Sequence, residues 1–180
     1  MTVVLRPCKV PWSVSPSMSG LTLAYVETDT LPECSIVFGA NSLKKGGGLE
    51  TRRIELRFLS ASDVRATRLL GTDNLESFGF EVVGLYDGPT KDWSARTQET
   101  WRDTGVCPSP HFYIAADSDW LRCGRIRHGD ALKHFVLDGA EAFIEVAAES
   151  FSWREWQWSD GLRDDNQDPA HVVGSGHGVE

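Results

Sequence analysis

The chain has 180 residues, 41% of them hydrophobic, and a formal net charge of −8. That length fits a single domain and can bury a self-sufficient core without covalent staples. The acidic balance argues against nonspecific nucleic-acid binding, and no run approaches the ~18 apolar residues of a membrane span.

The opening MTVVLRPCKVPW has too short an apolar core for a signal peptide. The cytoplasm is therefore the expected compartment. Free thiols are the expected state of Cys8, Cys34, Cys107 and Cys123, which contain no C-x-x-C pair. Thr2 to Leu5 reads as a short edge strand, after which Pro7, Pro11 and Pro16 interrupt regular structure. Leu21 to Glu27 and Cys34 to Ala40 read as strands. Asn41 to Gly48 carries Lys44, Lys45 and three glycines and reads as a hairpin loop, since a phosphate-cradling Gly-Lys-Ser/Thr that opens a helix is absent.

Thr51 to Ser60 alternates Ile54, Leu56 and Phe58 against Arg53, Glu55 and Arg57. That pattern predicts an antiparallel strand with one wet face. Asp63 to Leu70 is its expected partner, and Phe78 to Tyr86 the next strand. Asp87 to Pro110 lacks clear periodicity; a short helix over Lys91 to Arg102, with Trp93 and Trp101 as anchors, would account for a stretch too long for a bare loop. His111 to Ala116 reads as a strand, and Asp117-Ser118-Asp119 as a turn or helix cap.

Ala131 to Trp153 organises the rest. His134 to Asp138, then Gly139, then Phe143 to Ala148 form two apolar runs about an Asp-Gly turn signal, which predicts a hairpin covered on both faces. The rival is a helix over Ala140 to Ser150, favoured by alanine and glutamate. Ser159 to Glu180 is almost devoid of apolar residues and reads as a disordered polar tail. The expected architecture is mostly β, an antiparallel β-sandwich or partly closed barrel with one or two short helices. The domain would span residues 1–158 and the tail 159–180.

Four constellations could carry chemistry. Cys107, His111, Cys123 and His128 offer sulfur and imidazole in the set that tetrahedral zinc takes, but without the usual close cysteine pair; the plainer reading is ordinary thiols and loop histidines, with no metal or other cofactor. His134, Asp138 and Glu145, with Glu141 nearby, could supply a general base on the hairpin. Satisfied polar contacts in a core are the plainer reading. A basic stretch holds Lys44, Lys45, Arg52, Arg53, Arg57, Arg65 and Arg68, either a solvated strand face or a partner or phosphate patch. Trp153, Arg154, Trp156 and Trp158 could be an interface hot spot or a sugar-stacking platform, or could cap the core. Cys107 could also act as a nucleophile with His111 or His134, on residue type alone. No serine-nucleophile, dinucleotide, zinc-protease or EF-hand motif is present.

The segments TGVCPSPHFY, SDWL and HFVLDGAEAFIEVAAESF resemble small bacterial proteins that end in a similar hairpin. The resemblance implies a bacterial or mobile-element origin and carries no activity or site residue. Small size, acidic charge, tryptophan richness and the lack of a catalytic signature lead to an expected non-catalytic protein-binding role, of immunity or accessory type. The alternatives are a carbohydrate or small-ligand module using the tryptophans, and a hydrolase using the His/carboxylate or Cys/His groups.

Overall fold

The structure is a computed structural model that describes residues 2–17, 20–26, 33–45, 47–84, 90–116, 118–122, 131–156 and 173–178. Just over half of the described residues are strand, arranged as two packed sheets without barrel closure, which resolves the expected alternatives in favour of the sandwich.

The strands, in chain order, are β1 (Val3–Pro7), β2 (Trp12–Val14), β3 (Thr22–Val26), β4 (Glu33–Leu43), β5 (Leu49–Leu59), β6 (Asp63–Arg68), β7 (Phe80–Val82), β8 (Phe112–Ala116), β9 (Lys133–Asp138), β10 (Ala142–Ala148), β11 (Ser150–Trp156) and β12 (Val173–Gly178). The helix α1 (Thr90–Thr104) precedes β8. One sheet runs β6-β10-β9-β8-β1-β7; the other runs β12-β11-β5-β4-β2, with β3 also paired to β4. All pairs are antiparallel except β1 with β7.

The organising stretch is the predicted hairpin and not a helix. Ala147 lies opposite His134 and Phe143 opposite Asp138, in unbroken register. β-Branched and aromatic residues at alternate positions fit a pleated, covered surface and override the helical preference of its alanines. The turn is closed by the Gly139 N–H donating to the Ala142 carbonyl at 2.9 Å. Glycine is required there, because a Cβ would stand 2.8 Å from Leu21 Cδ1 and 2.9 Å from the Ala142 carbonyl oxygen.

The two faces of the hairpin do different work. Phe135, Leu137, Ile144, Val146 and Ala148 join Ile36, Phe38, Ile54, Leu56, Phe58 and Phe112 in the core between the sheets. Phe112 is fully buried, stacked on Trp12 at 5.8 Å and on Phe135 at 5.9 Å, with Phe151 edge-on at 4.9 Å. The other face carries a second apolar cluster with Leu5, Tyr113, Val136, Phe143 and Phe80. That is why alternation with polar residues is absent from these strands.

Some elements differ from expectation. The segment between Pro7 and Pro16 contains β2, because the prolines fall outside the three paired residues and spare its ladder to β4. Of the expected strand Phe78 to Tyr86, Phe80–Val82 is strand among the described residues and 85–86 lie outside them; Leu75–Phe78 is a 3-10 turn with an Asn74–Ser77 capping box, and Gly79 leaves it in the left-handed region at φ 83°. Within 159–180, residues Val173–Gly178 pair antiparallel with β11 and add a strand where the composition alone suggests a tail. The helix α1 covers and slightly exceeds the expected Lys91 to Arg102. No described helix is long and apolar enough to cross a membrane.

Candidate functional site

The structure splits the proposed catalytic trio of His134, Asp138 and Glu145 into two sites. His134 is buried, with Nδ1 2.8 Å from Ser118 Oγ and Nε2 3.1 Å from Glu145 Oε1. The hairpin register explains the second contact: Glu145 lies opposite Val136, so it reaches His134 diagonally on the same face. The Nε2–Glu145 contact is not aligned as a hydrogen bond, so it is an electrostatic contact. Trp120 meets the imidazole edge-on at 4.7 Å, while its Nε1 donates to Asp63 and Arg65 lies 4.3 Å over its ring.

A hydroxyl, an imidazole and a carboxylate in sequence are the parts of an acyl-transfer relay. Here Ser118 and His134 are buried, and Trp120 covers the ring. The geometry favours a polar fastening that ties residues 118–122 to the sheet. Sequence reasoning missed Ser118, whose only local signal was a helix-cap pattern.

Asp138 belongs to the second site. Its Oδ2 lies 3.1 Å from His111 Nδ1, and its backbone N–H donates to the His111 carbonyl at 2.8 Å. These two bonds hold His111 in the left-handed region at φ 56°, which a side-chain-bearing residue rarely adopts. His111 lines a cleft of about 180 Å³ with Ser13, Ser109, Cys107 and Trp101. A histidine held through Nδ1 by a carboxylate keeps Nε2 for a proton partner.

Cys107 and His111 thus share one cleft, but Cys123 and His128 lie outside the described residues. Among the described residues no group of three His, Cys, Asp or Glu could hold a metal ion. Cys8, Cys34 and Cys107 are free and buried. Burial pushes the Cys107 thiol up to about 11, against hydrogen bonds from the Ser109 backbone and Ser13 side chain that pull it down. The thiol form is the weaker nucleophile, so the nucleophile reading loses ground.

Trp153 points inward, partly buried against the core and edge-on to Trp12 at 6.4 Å. It packs there as a cap on the core. The Trp156 side chain and all of Trp158 lie outside the described residues. Arg154 lies opposite Glu55 and ion-pairs with it, as does Arg57 at 3.3 Å.

The basic stretch is not one patch. Arg53, Arg57 and Arg154 share the outer face of their sheet, Arg65 stacks on Trp120, and Lys44, Lys45 and Arg52 face a different cleft. That cleft, about 390 Å³, adds Arg102 from the last turn of α1, together with Pro11, Ser42, Trp101, Gly105 and Glu155.

No protein-family model, curated protein or solved structure matches this chain.

Proposed function

We propose that this chain is a non-catalytic binding module that takes an extended segment of another protein along the free edge of β3. One observation supports this reading above others. Among the described residues β3 pairs with β4 alone, and Leu23, Ala24 and Tyr25 are exposed. An exposed apolar edge is a template for a further strand, and soluble proteins protect such edges with charges, prolines or short strands. The edge strand β6 is protected by Asp63, Arg65 and Arg68, and β7 is three residues long. The sequence of β3, TLAYV, has no such device. The chain's charge of −8 and the acidic Glu27, Asp29 and Glu33 nearby in sequence suit a partner segment bearing lysine or arginine.

Selection from a displayed random-peptide library tests this. The expected peptides alternate apolar and basic residues, protect the β3 amides from hydrogen exchange, and fail to bind Leu23→Lys/Tyr25→Lys. Equal binding to that variant would sink the reading. So would a dimer that the variant abolishes, since the edge would then serve a second copy.

The His111–Asp138 pair favours a second reading, a hydrolase with His111 as general base. Its test is ester hydrolysis by the purified chain, with loss in His111→Ala and partial retention in Asp138→Asn. Activity that survives His111→Ala eliminates it.

A further inference from the structure

We propose that the cleft between the end of the sandwich and the C-terminal turn of α1 binds a small soluble dianion of the phosphomonoester type. Three features of the cleft carry this, and none depends on the β3 edge.

The first is charge. Lys44, Lys45, Arg52 and Arg102 line the cleft against the single carboxylate of Glu155, an excess of three positive charges. Glu50, which also pairs with Arg52, reduces this to two. In a chain whose net charge is −8, such convergence is a local inversion of the surface potential. Like cations brought together cost free energy unless a counter-charge joins them, and two excess charges match a dianion better than a carboxylate.

The second is an unsatisfied donor. Ser42 is 7% exposed, lines the cleft, and its hydroxyl finds no hydrogen-bond partner among the described residues. A buried hydroxyl without a partner is destabilising, so its place in the cleft wall points to an acceptor that arrives from outside. Phosphate oxygens are such acceptors.

The third is rigidity. Arg52 is anchored by Glu50 and Glu155, which fixes its guanidinium at the cleft wall. The lysine turn is closed by the Lys44 N–H on the Gly48 carbonyl at 3.1 Å and the Gly47 N–H on the Lys44 carbonyl at 3.0 Å. Trp101, whose Nε1 donates to the Pro11 carbonyl at 3.2 Å, locks α1 and hence Arg102 against the sandwich. The donors are held in place before a ligand arrives, which lowers the ordering cost of binding. The chain's net charge of −8 disfavours extended polyanions and anionic membranes, which suits a small soluble ligand.

The test is titration of the full chain with glycerol phosphate, followed by calorimetry and by amide chemical shifts. The expected result is saturable binding with shifts confined to residues 42–45, 52 and 101–105. Affinity should fall about tenfold in Ser42→Ala and in Lys44→Gln/Lys45→Gln, in line with losing a charge-assisted hydrogen bond. Ser42→Ala should leave the unliganded Tm unchanged or raised, because it deletes an unsatisfied group. Absence of saturable binding overturns the proposal, as does binding of acetate with equal affinity or equal binding by both variants. Sedimentation with vesicles containing phosphatidic acid, without binding of glycerol phosphate, would also overturn the assignment to a soluble ligand.

Discussion

His134 Nδ1 and Ser118 Oγ stand 2.8 Å apart across sixteen positions of sequence, and both side chains are buried. Each is the other's polar partner, so removing either leaves a buried group unsatisfied. Ser118→Ala should destabilise the fold by about 1–2 kcal/mol. His134→Ala should cost more, about 2–4 kcal/mol, because a cavity beside Trp120 and Phe80 adds to the lost contact. Urea unfolding of the two single variants and the double measures the coupling; strict additivity would show that the contact carries no energy of its own.

Gly139 stands where backbone and side chain leave no room for a Cβ. Gly139→Ala should destabilise by about 1–3 kcal/mol through overpacking. Leu21→Ala in the same chain should recover only part of this, since the Leu21 tip can be removed but the Ala142 carbonyl, which a Cβ would meet at 2.9 Å, cannot. Full recovery in thermal unfolding would place the whole clash on Leu21.

Much of the fold was legible because its strands obey a period of two with strong apolar contrast, as in Ile54, Leu56 and Phe58. The hairpin at Asp138-Gly139 was legible because a turn signal separated two apolar runs. β2 was hidden by three flanking prolines, and β7 was trimmed by a turn whose capping residues are individually common. The sites were harder to read. Glu145 reaching His134 follows from hairpin register, but Ser118 comes from a segment whose approach only tertiary packing decides. Asp138 shares strand parity with His134, yet pairs with His111 because β8 brings that residue to the end of β9. The anion cleft gathers Arg102 with Lys44 and Lys45 through packing of α1, which no local pattern announces.

Phe112 joins the aromatic rings of both sheets at the centre of the core. Phe112→Ala should cost about 3–5 kcal/mol, a large share of a small domain's stability. Phe112→Leu should retain most of it. Denaturant midpoints that drop equally for the two would mean that the ring contacts, and not the filled volume, carry the energy.

Burial raises the thiols of Cys8 and Cys34 from 9.0 to about 12 and that of Cys107 to about 11. The native state holds these protons more tightly than the unfolded chain does. Their stabilising contribution is therefore complete below pH 9 and is lost as the pH rises from about 9 toward 11 and 12. Burial shifts Tyr113 upward as well and adds to the same alkaline loss. Native alkylation at pH 8 should leave these three cysteines unmodified, while denaturant should expose all of them. Rapid native alkylation followed by peptide mapping would show that the core opens more readily than its packing implies.

The parallel pairing of β1 with β7 places the first strand inside its sheet, with residues about eighty positions later on one side and about one hundred and ten later on the other. The second sheet is spanned in a similar way, with β5 waiting for β11. Neither sheet can be completed by a growing N-terminal fragment. Long loops must close before their contacts give any return, which slows folding and leaves strand edges open meanwhile. Assembly is thus an event for nearly the whole chain, and β1 spends most of its synthesis as an apolar strand with no neighbours to pair with.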